Sequence, residues 1–283
     1  MLDFRAGDRV EELAVVPTDR RVALRLLWLL DDPRAPLDEI GRVITADPAL
    51  SARVLAVANA DYYGAPGKVT TISRAVTMLG MTTVRTLATT SALELFIASD
   101  DPAPEGFWLH SVTAAVSAAS IATQVGVIPA EAMAAGLLHD LGKVLLRARD
   151  TAAFDEIGAA PDTGEARRLT LERETFESDH AERAAQTLGA LGMPSGLVEA
   201  VALHHAVTAS SPLLARVVHA ADRVAHGVVD GPNAEHPIGP ALELLGISDE
   251  LESMLVMRAT EDQRAVLRFL SNFLDPAPDP RGR

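Results

Sequence analysis

Apolar positions recur along this chain at helical spacing. In residues 18–30, Val22, Leu24, Leu26, Leu27, Leu29 and Leu30 mark one wide apolar face. Segment 47–59 opens with a candidate cap, Asp47, and has Pro48 at the first helical position; Leu50, Val54, Leu55, Val57 and Ala58 follow. The same pattern predicts helices over 71–98, 107–126, 130–149, 177–191, 195–206, 211–229, 248–258 and 260–274. No window alternates with a period of two, so an all-α fold is expected. Short Pro/Gly/Asp clusters punctuate the helices: DDPRAP (31–36), YGAPGK (63–68), SDDPAPEG (99–106), AAPDTG (159–164) and DGPNAEHP (230–237). The cluster at 99–106 divides an N-terminal helical subdomain, 1–105, from a helical core, 106–274; the Pro-rich tail, 275–283, is expected to fray.

Composition sharpens this picture. Aromatics are only 4% of the chain while 48% is hydrophobic, so the core must be built from Ala, Leu and Val, whose short side chains let helices approach closely. Acids outnumber bases 39 to 25, for a net charge of −14. Such a surface lacks the positive face that displaces counterions from phosphates, and nucleic acid is not expected as a direct partner. The N-terminus (MLDFRAGDRVEEL) carries acids where a signal peptide needs an apolar core, and no run reaches the roughly 20 apolar residues of a membrane span. The expectation is a cytoplasmic protein without membrane contact. With no cysteine, only histidine and carboxylates remain as strong metal ligands.

Those ligands fall in a distinctive order: His110, His139-Asp140, His180, His204-His205 and Asp222. The centre is AAGLLHDLGK (134–143), in which Ala134, Ala135 and Gly136 permit a close helix crossing and Leu137, Leu138 and Leu141 anchor a buried helix. Taken singly, each group has a plain reading: a hydrogen-bonded core histidine, an Asp222 paired with Arg223, a solvated Lys143. His219, His226 and His236 keep that reading, although His219, one turn before Asp222, suits an outer-shell role. Taken together, these groups lie on mostly apolar segments, where ionisable side chains are costly unless paired or metal-bound. Nitrogen and oxygen donors without sulfur suit iron, manganese or zinc. A metal-free hydrogen-bonded histidine network is the alternative.

The string HDLGK, preceded by His110 in FWLHS (107–111) and followed by Asp222, resembles the H…HD…D signature of HD-superfamily metal-dependent phosphohydrolases. DPALSARVLAVANADYYG (47–64), ISRAVTMLGMTTVRTLA (72–88), FESDHAERAA (176–185) and GMPSGLVEAVALHH (192–205) look like motifs of the HDOD family, and the resemblance covers about residues 10–275. It implies an HD-type helical core preceded by an N-terminal helical bundle. It also implies one divalent ion, iron or manganese with zinc as a further option, at His110, His139, Asp140 and Asp222. A second would sit at His180, His204 and His205, bridged by Asp140. Lys143, on the same helix face as His139, would meet a phosphate, and Asp140 would serve catalysis. Arg53, Arg74, Arg85 and Arg147 are lesser candidates, read as surface charges. After His204-His205 the chain reads AVTASSPLLARVV without a GYP motif, so the cyclic-di-GMP hydrolysis of the HD-GYP phosphodiesterases does not carry over. The family resemblance implies a stand-alone bacterial signalling protein with a protein partner or a small phosphate or nucleotide ligand. A metal-dependent phosphohydrolase is the second reading.

Overall fold

A computed structural model describes residues 22, 25, 26, 29, 35–59, 67–81, 83–84, 103–160, 164–190, 193–229, 236–248 and 251–271. Among them there is no strand, and the fold is all-α. In chain order the helices are α1 (Leu37–Thr45), α2 (Pro48–Asn59), α3 (72–81), α4 (Phe107–Val125), α5 (Pro129–Leu138), α6 (Leu141–Arg149) and α7 (Thr151–Ala159). They are followed by α8 (Glu165–Phe176), α9 (His180–Ala190), α10 (Ser195–Leu203), α11 (Leu213–Val229), α12 (Ile238–Glu243) and α13 (Glu252–Ser271). No helix among the described residues is long and apolar enough to cross a membrane.

Several predicted elements change on inspection. The single helix expected over 130–149 is two, because the chain turns at His139 and Asp140 before α6 begins. The two helices expected over 248–258 and 260–274 are one, α13, in which Ala259 is buried and Thr260 stays helical by bonding the Val256 carbonyl. Residues 177–191 begin helix only at His180. The polar α8 before it escaped the periodicity reading because it buries only Leu169, Glu172 and Phe176. The short α1, α7 and α12 also went unpredicted. Of the helix expected over 18–30 only residues 22, 25, 26 and 29 are described, and of 71–98 only 71–81, 83 and 84. Tyr62, Tyr63, Arg85 and the tail 275–283 lie outside the described residues.

Asp47 caps α2 as expected, accepting from the Leu50 N–H at 2.6 Å. At the other end Asn59 closes the helix, donating to the Leu55 and Val69 carbonyls and accepting from the Val69 N–H.

One hydrophobic cluster joins the N-terminal helices to the centre: Ile40, Ile44, Leu50 and Leu55 pack together with Leu138, Leu141, Leu188 and Val201. Each such fully buried side chain contributes about 1.5–3 kcal/mol relative to exposure. A second cluster, with Ile121, Val224, Leu242 and Leu255, ties α11, α12 and α13 to α4. Alanine and glycine set the approach of α5 to α4: a Cβ on Gly136 would lie 2.9 Å from the Ala114 carbonyl oxygen.

Candidate metal centre

The candidate ligands sit largely at helix ends, where the chain can bring backbone and side chain together. His139 closes α5, Asp140 occupies the following turn, His180 is the first residue of α9, and His204 closes α10. His110 comes from the first turn of α4 and Asp222 from the middle of α11. The local chemistry of helix ends fixes two of the rings. His139 Nδ1 donates to the Gly136 carbonyl at 2.7 Å, and His204 Nδ1 donates to the Val201 carbonyl at 2.7 Å. Each satisfies a carbonyl that the ending helix would leave without an amide.

Two carboxylates fix two more rings. His180 Nδ1 is 2.6 Å from Glu172 Oε2, which also accepts the His180 N–H at 2.9 Å. His205 Nδ1 is 2.7 Å from Glu165 Oε1. A neutral imidazole carrying its proton on Nδ1 presents a lone pair at Nε2. In their neutral forms His139, His180, His204 and His205 therefore all turn lone pairs inward.

Those lone pairs converge. His180 Nε2 and His205 Nε2 are 2.7 Å apart, and His110 Nε2 and His139 Nε2 are 3.3 Å apart. Asp140 gives one oxygen to each half: Oδ1 is 3.3 Å from His180 Nε2 and 3.9 Å from His204 Nε2, while Oδ2 is 3.5 Å from both His110 and His139 Nε2. Asp222 Oδ1 is 3.1 Å from His110 Nε2 and 3.4 Å from His139 Nε2. Ligands bonded to one ion at about 2.0–2.2 Å stand about 2.8–3.6 Å from their neighbours, which is the spacing of most of these atoms. Asp140 Oδ1, Asp222 Oδ2 and His204 Nε2 are buried with no hydrogen-bond partner. Facing lone pairs and unpartnered buried acceptors need a proton or a cation between them. The donor set fits a divalent ion. Among the described residues three groups have all ligand atoms within 4.8 Å of one another: Asp140, His180, His204 and His205; His110, His139 and Asp140; and His110, Asp222 and His226.

Burial pushes the His139 and His180 rings down, but Asp140 and Asp222 outweigh it at His139, and Glu172 and Asp140 at His180, so both rings are raised and favour a proton that a bound cation would displace. Burial pushes the Asp140 carboxyl up, but His139, Lys143 and His180 together outweigh it and hold the group well below the usual carboxylate range. Asp222 is likewise held low, burial being outweighed by His110, His139 and His226. Burial, with His205 and His139 alongside, drives His204 well below the ordinary imidazole value and keeps it neutral.

Lys143 lies where the pattern predicted, one turn past His139, and its ammonium bonds Asp140 Oδ2, with 16% of the side chain exposed. His219 donates from Nδ1 to the His204 carbonyl at 2.7 Å. Arg147 pairs with Asp155 at 2.8 Å, and Arg74 is exposed. Sequence reasoning missed Glu165, Glu172, Arg223, His226 and His236. Glu165 accepts from His205 and from both terminal nitrogens of Arg223, and His236 lies 3.3 Å from its other oxygen. Glu172 is fully buried in a polar helix, and nothing in the local pattern separates it from its solvated neighbours.

A family model, the HDOD domain, matches residues 16–207 of this chain. The chain belongs to the HDOD family. The HDOD match includes His110, His139, Asp140, His180, His204 and His205 and ends before Asp222. Among solved structures, the chain is similar to the MmoQ response regulator of Methylococcus capsulatus str. Bath, with TM-score 0.71 and 27% identity, covering 85% of this chain and 97% of that one. A protein from Shewanella amazonensis SB2B described as a candidate phosphohydrolase matches with TM-score 0.51 and 25% identity over 91% of this chain and 97% of its own. A virulence factor of Campylobacter jejuni shares the fold at TM-score 0.64 and 15% identity, covering 93% and 96%. An uncharacterised protein of Treponema pallidum is 24% identical over 205 residues, 70% of this chain and 39% of that protein. The chain thus spans well under half the length of that relative.

Proposed function

We propose that this HDOD protein is a bacterial signalling component whose regulatory core binds one or two divalent cations, iron or manganese, at His110, His139, Asp140, His180, His204, His205 and Asp222. The observation that carries this reading is the convergence of imidazole lone pairs on a carboxylate with an oxygen in each half of the cluster. In it residues 1–105 and 106–274 act as one unit, since their helices share a hydrophobic cluster. The output is a protein partner or a small phosphate or nucleotide ligand, and the similarity to a response regulator supports the signalling context. The test is metal content by mass spectrometry of protein purified without chelators, beside Asp140→Ala. One or two equivalents of metal in the wild type, lost in the variant, are expected. Absence of metal after reconstitution sinks the reading in favour of a protonated histidine network.

Lys143 favours a second reading, a metal-dependent phosphohydrolase. Its ammonium reaches the carboxylate shared by both halves and keeps partial exposure, the position from which a phosphate oxygen can be met. Divalent ions there supply Lewis acidity toward a phosphate ester and make water a better nucleophile. The chain's own groups would hold the ester: Lys143 neutralises it, and Asp140 keeps Lys143 in place. The similarity to a candidate phosphohydrolase is consistent with this reading. Turnover of phosphate mono- and diesters by metal-loaded protein, lost in Lys143→Ala with metal retained, is the expected result. No turnover leaves the signalling reading alone.

A further inference from the structure

Residues four apart on a helix share a face, and in α11 that spacing sets His226 beside Asp222. His226 Nε2 is 3.5 Å from Asp222 Oδ1, the oxygen that also stands 3.1 Å from His110 Nε2. The ligand atoms of His110, Asp222 and His226 lie within 4.8 Å of one another. A separation of 3.5 Å is longer than an N–H···O bond of about 2.7–3.2 Å. It lies at the wide end of the roughly 2.8–3.6 Å between neighbouring donors on one ion with bonds of about 2.0–2.2 Å. The second oxygen of Asp222 is buried without a hydrogen-bond partner. The His226 ring is also held in its plane: His236 lies flat on it, centroids 4.0 Å apart and planes 8° from parallel, and is itself tied to Arg223 and Glu165.

We infer that His226 is a ligand of the cation held at His110 and Asp222, so that α11 supplies two donors through an Asp222-x-x-x-His226 pair. This rests on the metal-binding reading above and adds a residue that neither the family signature nor the HDOD match contains. His110 turns one nitrogen inward and can serve a single ion, so His226 joins the shell of that ion instead of building a separate one. The half at His110 then has five donors, with His139, Asp140 and Asp222, and the half at His180 has four. An ion that prefers six ligands keeps one open position in the first half and two in the second. An incoming phosphate or water therefore has more room at the half formed by Asp140, His180, His204 and His205.

Manganese(II) binding, measured as bound equivalents by mass spectrometry and as free ion by electron paramagnetic resonance, tests this on the full chain. Wild type, His226→Ala, His226→Asp and Asp140→Ala are compared after circular dichroism establishes equal helicity. His226→Ala should lose one equivalent, or weaken it beyond the roughly 10–100-fold that loss of an outer-shell partner costs. His226→Asp should restore it, because a carboxylate placed beside Asp222 is tolerated only with a cation between them. Asp140→Ala should lose both. His226→Ala that holds as many ions as wild type at unchanged affinity overturns the inference and leaves the metal reading standing. So does a loss that His226→Asp fails to restore, which would mark His226 as packing. Absence of manganese from wild type removes the metal reading and this inference together.

Discussion

Glu172 shows how a single side chain can control a cluster that it does not enter. Burial pushes its carboxyl up, but the charge and hydrogen bonds of His180 and the charge of Arg168 outweigh that and leave it at about 2, against an ordinary 4.5. A carboxyl whose folded value is depressed stabilises the fold fully above about pH 4.5, and that contribution fades as pH falls toward 2. Its size is on the order of 3 kcal/mol. Metal-free wild type should therefore melt above Glu172→Gln at pH 7, with the gap closing between about pH 5 and pH 2. A gap that is independent of pH would show that the carboxylate contributes by shape alone. The inward-facing donors were legible in the sequence because His and Asp on apolar segments stand out. Glu165 and Glu172 were not, because a glutamate in a polar helix looks the same whether it faces water or a histidine across the fold.

At the scale of elements, the junctions of helices matter more than their lengths. Gly142 lets the start of α6 lie against the start of α9: a Cβ there would fall 1.9 Å from the His180 carbonyl oxygen. No side-chain rotation relieves a clash with backbone, so Gly142→Ala must displace His180 or Asp140. It should cost more than about 2 kcal/mol and abolish metal retention, read by thermal unfolding and metal analysis. Gly158→Ala, on the exposed face of α7 with nothing within 4 Å of the added methyl, should be neutral or stabilise by up to about 1 kcal/mol. Equal effects would refute the close-approach argument. The amphipathic α11 was read from apolar spacing, whereas the nine-residue α1, no less amphipathic, was too short to stand out. The turn at 139–140 could not, because Leu137, Leu138 and Leu141 are all buried and their spacing continues through it.

At the scale of the molecule, the candidate centre draws on α4, α5 and α11, each of which contributes side chains to both hydrophobic clusters. A cation held there would fasten these helices to one another. Ligand at about a hundred times its dissociation constant adds about 2.7 kcal/mol to the folded state. In a chain of this size that is a rise of about 5–10 °C in Tm, which chelation should reverse. A Tm unchanged by chelation of metal-loaded protein would mean that the ion does not fasten these helices.

The pairing of His110 with Asp222 spans 112 positions of chain. Loop closure over that distance comes late, after local helices have formed and docked. His110 and Asp222 are thus not near one another in a nascent or half-folded chain, and an ion cannot seed that pairing. It meets a finished cavity whose rings are already aimed by Glu165, Glu172 and the ends of α5 and α10. Metal choice then falls to fit and cellular supply more than to the affinity order of loose ligands. A chain refolded in chelator should reach the same helical body and fill afterwards in a slower, metal-dependent step.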